Sequence, residues 1–80
     1  AGKDPKSLAI IGSGFQARSQ LDAILHVCPS IEDVRVWSRH RDKRDNFAAA
    51  ATLETGKLVV ATESAEDAVR HADILVTATY

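Results

Sequence analysis

Gly12-Ser13-Gly14-Phe15-Gln16-Ala17 is the stretch whose residue types and spacing suit chemistry. It fits G-x-G-x-x-G/A, a pattern in which glycines bring the backbone close to an anion and a small last residue lets a helix pack tightly on a strand. Free N–H groups at a helix start, with the positive end of the helix dipole, then hold the anion. The expected chemistry is capture of a dinucleotide pyrophosphate: Gly12 makes the tight turn, Gly14 gives close approach and Ala17 seats the helix. A glycine turn that merely joins two elements is the alternative, so the pattern carries weight only between a strand and a helix.

The flanking sequence supplies that context. Ser7 to Ile11 is a short apolar run that reads as a buried strand. After Phe15, the residues Ala17, Leu21, Ile24, Leu25 and Cys28 recur at one helical stripe until Pro29 stops it. Val34 to Trp37 reads as a second strand, Asp42 to Glu54 as an alanine-rich helix turning Phe47, Ala50 and Ala51 inward and capped by Gly56, and Leu58 to Ala61 as a third strand. Ser64 is placed to cap a third helix, with Asp67 in capping-box position and Ala68, Val69 and Ala72 inside, before a fourth strand over Ile74 to Thr77. The order β-α-β-α-β-α-β with short connections predicts an α/β fold, a Rossmann-type doubly wound parallel sheet in strand order 3-2-1-4.

The tip of the second strand, about 20 residues past the glycines, is where an Asp or Glu would bind the ribose 2′-hydroxyl of NAD. Trp37, Ser38, Arg39, His40 and Arg41 stand there instead. An arginine at this place matches a 2′-phosphate with a planar fork of donors. NADP(H) is therefore predicted over NAD(H), with NAD(H) as the alternative; Ser38 donates a hydroxyl and Arg39 pairs with the phosphate or stacks on adenine. His40, Arg41 or Arg44 would add charge, although Arg41, Lys43 and Arg44 read better as a solvated surface around a helix start. The missing carboxylate also weighs against a methyltransferase using S-adenosylmethionine on the same architecture.

Other residues read blandly. His26, His40 and His71 lack metal or triad spacing, so no metal site is expected. Cys28 continues an apolar stripe, and one cysteine makes no internal disulfide, which points to a reducing, cytoplasmic setting. Asp73 suits a turn. Thr77 and Thr79 sit where ligands line the crevice of a parallel sheet, and function is favoured over simple strand formation. With 10 Lys plus Arg against 11 Asp plus Glu there is no global attraction to nucleic acid, and no apolar run approaches the roughly 20 residues of a membrane span. Residues 1–7 are polar and lack a signal-peptide core.

Leu8 to Ser19, Val34 to Arg39, Ser64 to Val69 and Ala72 to Thr79 together resemble the ornithine cyclodeaminase/mu-crystallin family over nearly the whole chain. The glutamine of G-x-G-x-Q-A is the most specific part, because the general fingerprint does not demand it. The resemblance implies a nicotinamide-binding domain within a larger homodimer whose substrate and dimerisation segments lie outside these residues, and a small amino or imino acid as substrate. It also implies that Phe15 and Gln16 touch the pyrophosphate, Ser38 and Arg39 the adenosine end, Ala61 and Thr62 the adenine, and Val76, Thr77, Ala78 and Thr79 the ribose and nicotinamide side. Family users of NAD tend to carry Asp where Ser38 stands. For the cyclodeaminase the implied reaction is hydride removal from Cα of ornithine, ring closure by the δ-amine, ammonia loss and hydride return to give proline; reductase relatives stop at net hydride transfer.

No catalytic residue is expected within these 80 residues. The readings left open are the cofactor-binding part of such an enzyme, a noncatalytic mu-crystallin-like protein whose ligand affinity is set by NADPH, and a stand-alone nucleotide sensor. A sheet ending on its fourth strand lacks the second mononucleotide-binding half, so the sequence reads as a segment of a longer chain.

Overall fold

Short β-branched runs alternate with longer amphipathic ones, and the computed structural model, which describes residues 4–78, turns them into seven elements. These are β1 (Ser7–Ile11), α1 (Phe15–Val27), β2 (Asp33–Trp37), α2 (Arg41–Thr55), β3 (Leu58–Ala61), α3 (Ala65–Val69) and β4 (Ile74–Thr77). All strand pairs are parallel and the order is β3-β2-β1-β4, as the sequence predicts. β1 is central: Ile10 stands opposite Val36 on one side and Val76 on the other.

The pleat sends alternate side chains to opposite faces. Leu8, Ile10, Val34, Val36 and Val59 form one face, which packs on Ala17 and Leu21 of α1 and Ala48 and Ala51 of α2. Leu8, Ile10, Leu21, Val34 and Val36 are fully buried, each contributing about 1.5–3 kcal/mol of apolar burial. Arg18 ties the two helices at their rim, pairing with Asp22 of its own helix and with Glu54 of α2. On the other face the small residues Ala9 and Ala68 are buried apart from this core, and α3 lies against β1 and β2. That short helix leaves Leu58, Val60 and Leu75 exposed.

Two inward faces differ from expectation. In α2 the buried positions are Arg44, Ala48 and Ala51, with Ala50 exposed. A run of four alanines offers no contrast from which to phase a helix; Ala51 is in the core and Phe47 packs against it as expected, with Ala48 taking the place of Ala50. Val69 of α3 is also exposed, since a five-residue helix presents little more than Ala68 to the sheet. The caps agree with the sequence: Gly56 ends α2 at φ +76°, and Ser64 Oγ accepts the Asp67 N–H at the start of α3.

Asp73 fastens the opposite end of the sheet from the glycine loop. Its Oδ2 accepts the backbone N–H groups of Lys6 at 2.8 Å and Ser7 at 3.2 Å, joining the entrances of β4 and β1. These two bonds, that from Lys6 foremost, hold the Asp73 carboxyl below its ordinary pKa. The folded pKa then lies under the unfolded one, so this stabilisation is full above about pH 4 and is lost as pH falls through the folded value. Asp73→Ala is expected to lower the melting temperature at pH 7, with the difference from wild type shrinking near pH 3. Melts at the two pH values check this; an equal difference at both contradicts it.

Candidate dinucleotide-binding cleft

The carboxyl ends of β1, β2 and β4 meet at one edge, and backbone bonds continue just past the strands. Gly12 N–H donates to Trp37 O and Ala78 N–H to Ile11 O, both at 2.8 Å. The chain leaving β1 is therefore held on both sides as it turns into α1. Gly12 sits at φ +130°, and a Cβ there would lie 2.6 Å from the Ala78 carbonyl oxygen, a backbone atom that has no room to move. Gly14 differs: a Cβ at that position would meet nothing within 4 Å. The first glycine thus lets β1 and β4 stay close, and the second faces open space.

That space is a cleft of about 390 Å³ lined by Gly12, Ser13, Gly14, Ser38, Arg39, His40, Lys43 and Ala78. Its floor is the start of α1, where Gly14 caps the helix with no side-chain bond and the first turn holds no acidic residue. The first main-chain bond of the helix runs from Arg18 N–H to Gly14 O. The N–H groups of the preceding turn are accordingly left for an anion. Ala17, fully buried, allows the helix to sit this low on the sheet.

The structure brings Gly12, Gly14, Ser38, Arg39 and Ala78 to this one cleft. Phe15 and Gln16 are exposed on the first turn of α1 beside it. Thr77 is exposed at the end of β4 but does not line the cleft. Thr62 lines a separate depression next to β3 and α3, and its hydroxyl donates to Ser64 O at 2.8 Å within the turn. Thr79 lies outside the described residues. Among the described residues there is no cluster of three potential metal ligands, and no helix is long and apolar enough to cross a membrane.

The basic residues after β2 divide in a way the sequence did not reveal. Lys43 is exposed, as expected, and also lines the cleft with Ser38, Arg39 and His40. Arg44, also read as solvated, is 6% exposed: Nη1 donates to Ser38 O at 3.0 Å and Nη2 to Glu63 Oε2 at 3.1 Å. Glu63, unremarked in the sequence, also takes Arg41 Nη2 at 3.4 Å. The available signal was spacing, because Arg44 stands four residues before Ala48 and seven before Ala51 on one helical stripe.

A parallel sheet in this order, with its crevice where the crossovers from β1 diverge, defines a Rossmann-like α/β protein. The chain belongs to the ornithine cyclodeaminase/mu-crystallin family, whose family model matches residues 1–80. It is 38% identical to the Delta(1)-pyrroline-2-carboxylate reductase of Thermococcus litoralis, solved in complex with NADH and L-proline, with a TM-score of 0.91 covering 99% of this chain and 24% of that one. The Delta(1)-pyrroline-2-carboxylate reductase of Bacillus cereus is 39% identical over 74 residues, 92% of this chain and 22% of the relative. The uncharacterized cyclodeaminase y4tK of Sinorhizobium fredii is 35% identical over 77 residues, 96% and 23% respectively. The chain therefore spans about a quarter of the length of these relatives.

The two glycines are expected to respond differently to the same methyl group. Gly12→Ala should cost about 2 kcal/mol or more, from a strained φ and a clash with immobile backbone. Gly14→Ala, at φ −93° and in open space, should cost under about 1 kcal/mol. Denaturant unfolding of the two variants measures this, and equal losses would contradict the geometry.

Proposed function

We propose that these residues form the dinucleotide-binding part of an enzyme that transfers hydride on an amino or imino acid, with NADP(H) preferred over NAD(H). The observation that carries the reading is the composition of the cleft: open backbone at Gly14 and the α1 start at one end, Ser38, Arg39 and Lys43 at the other, and no carboxylate among its lining residues. A pyrophosphate suits the first end and a 2′-phosphate the second.

A bound nicotinamide would supply the hydride donor or acceptor. The chain's own residues bind and orient. Main-chain N–H groups of the first turn of α1 hold the pyrophosphate, and Gly14 keeps side-chain bulk from it. Ser38 offers a hydroxyl, Arg39 a forked pair of donors and Lys43 a point charge to the 2′-phosphate. His40 borders the same end. Thr77 and Ala78 are assigned to the ribose and nicotinamide side together with Thr79, and Ala78 forms part of the cleft wall.

The relatives support the substrate class. Two are Delta(1)-pyrroline-2-carboxylate reductases, one of them solved with NADH and L-proline, and a third is an uncharacterized cyclodeaminase. NADH in that complex supports a nicotinamide cofactor, while the preference for the phosphorylated form is read from Ser38 and Arg39 of this chain. Substrate-binding and acid/base groups would come from the remainder of a full-length protein.

Titration of the protein with NADPH and NADH, followed by fluorescence of Trp37, the residue before Ser38 in the chain, tests the reading. NADPH should bind more tightly, and Arg39→Asp should weaken it by about tenfold or more while sparing NADH, the scale of one lost hydrogen bond between charged groups. Equal affinity for the two nucleotides, with a ratio unmoved by Arg39→Asp, would overturn it.

A further inference from the structure

We propose that Arg44 is a positioning residue that sets nucleotide selectivity without touching the nucleotide, by holding the Ser38-Arg39 backbone between α2 and the turn after β3. The inference rests on the reading of Ser38 and Arg39 as the 2′-phosphate site.

Three bonds place Arg44. Its backbone N–H donates to His40 O at 3.1 Å, Nη1 to Ser38 O at 3.0 Å and Nη2 to Glu63 Oε2 at 3.1 Å. One residue thus grips both ends of the Ser38-Arg39-His40 segment and anchors it to a different connection of the sheet. Little else local holds that segment. His40 caps α2 with no side-chain bond, and Ser38 Oγ reaches His40 O only at 3.4 Å.

Chemistry explains why an arginine is needed. Ser38 is 9% exposed, and its inward carbonyl needs a donor that will not be exchanged for water. A guanidinium can serve that carbonyl and a carboxylate together because its donors lie in one rigid plane; an ammonium has no such fork. Glu63 balances the buried charge and takes Arg41 as well, so both of these cations are committed away from the cleft. Arg39 and Lys43 remain at the cleft wall. Arg39 is long and exposed, and a phosphate gains most from it when the backbone beneath is already fixed. NADH, which lacks the 2′-phosphate, draws little from that fixing.

The discriminating variant is Arg44→Lys, which keeps the charge and most of the stem but lacks the reach and the two-nitrogen fork that join Ser38 O and Glu63. Arg44→Lys and Arg44→Met should each raise the NADPH Kd of the protein by about tenfold and leave the NADH Kd within about twofold. A charge effect alone would leave Arg44→Lys like wild type, and a merely structural role would weaken both nucleotides by the same factor; either result overturns the proposal. Should Arg44→Met not fold, Arg44→Lys carries the test. Arg39→Met, measured in parallel, separates the two levels. Lost selectivity in Arg39→Met with none lost in Arg44→Lys overturns the role of Arg44 and leaves the 2′-phosphate reading standing, whereas no change in either overturns both.

Discussion

The approach of Gly12 to the carbonyl of Ala78 is the constraint on which the rest depends. At 2.6 Å from the place of a Cβ, that oxygen admits hydrogen and nothing larger. The contact keeps β1 and β4 in register to their last residues, so β1 must turn sharply and release the chain over the sheet edge. Only then does α1 begin low enough for Ala17 to bury and for its N-cap Gly14 to line the cleft. A packing requirement between two strands thereby produces an anion-binding geometry.

Charge is arranged by a second constraint, at the tip of β2. The sequence gathers Arg39, Arg41, Lys43 and Arg44 within a few residues, and left unpaired they would repel one another. Glu63, brought over by β3, divides them: Arg41 and Arg44 turn toward it, and Arg39 and Lys43 stay at the cleft. The pair of Arg44 and Glu63 is asymmetric, 7% against 74% side-chain exposure, so the carboxylate remains hydrated while the guanidinium spends its donors inside. A buried cation bonded through both Nη1 and Nη2 is a rigid support rather than a floating charge.

How much of this was legible in the sequence follows from what each residue's neighbours are. Strand order, element bounds and the Gly56 and Ser64 caps could be read because each rests on local spacing and turn chemistry. The glycine loop could be read because its pattern falls between a strand and a helix. Arg44 could not be recognised as buried, since its partners Ser38 and Glu63 are brought to it by the return of β3 beside β2. Lys43 stays exposed as expected, and where α2 starts brings it to the rim of the cleft. The place of Thr62 beside the adenine rests on family resemblance alone, and its hydroxyl bonds within its own turn.

The central claim is that one cleft holds a pyrophosphate at α1 and a 2′-phosphate at Ser38 and Arg39. A crystal structure of the protein grown with NADPH tests it most directly. The account predicts the pyrophosphate against the main chain of Gly14 and the first turn of α1, the 2′-phosphate within hydrogen-bond distance of Ser38 Oγ and the Arg39 guanidinium, and Arg44 still on the Ser38 carbonyl. A 2′-phosphate pointing to solvent with Arg39 turned away, or a nucleotide bound elsewhere on the sheet, would contradict it.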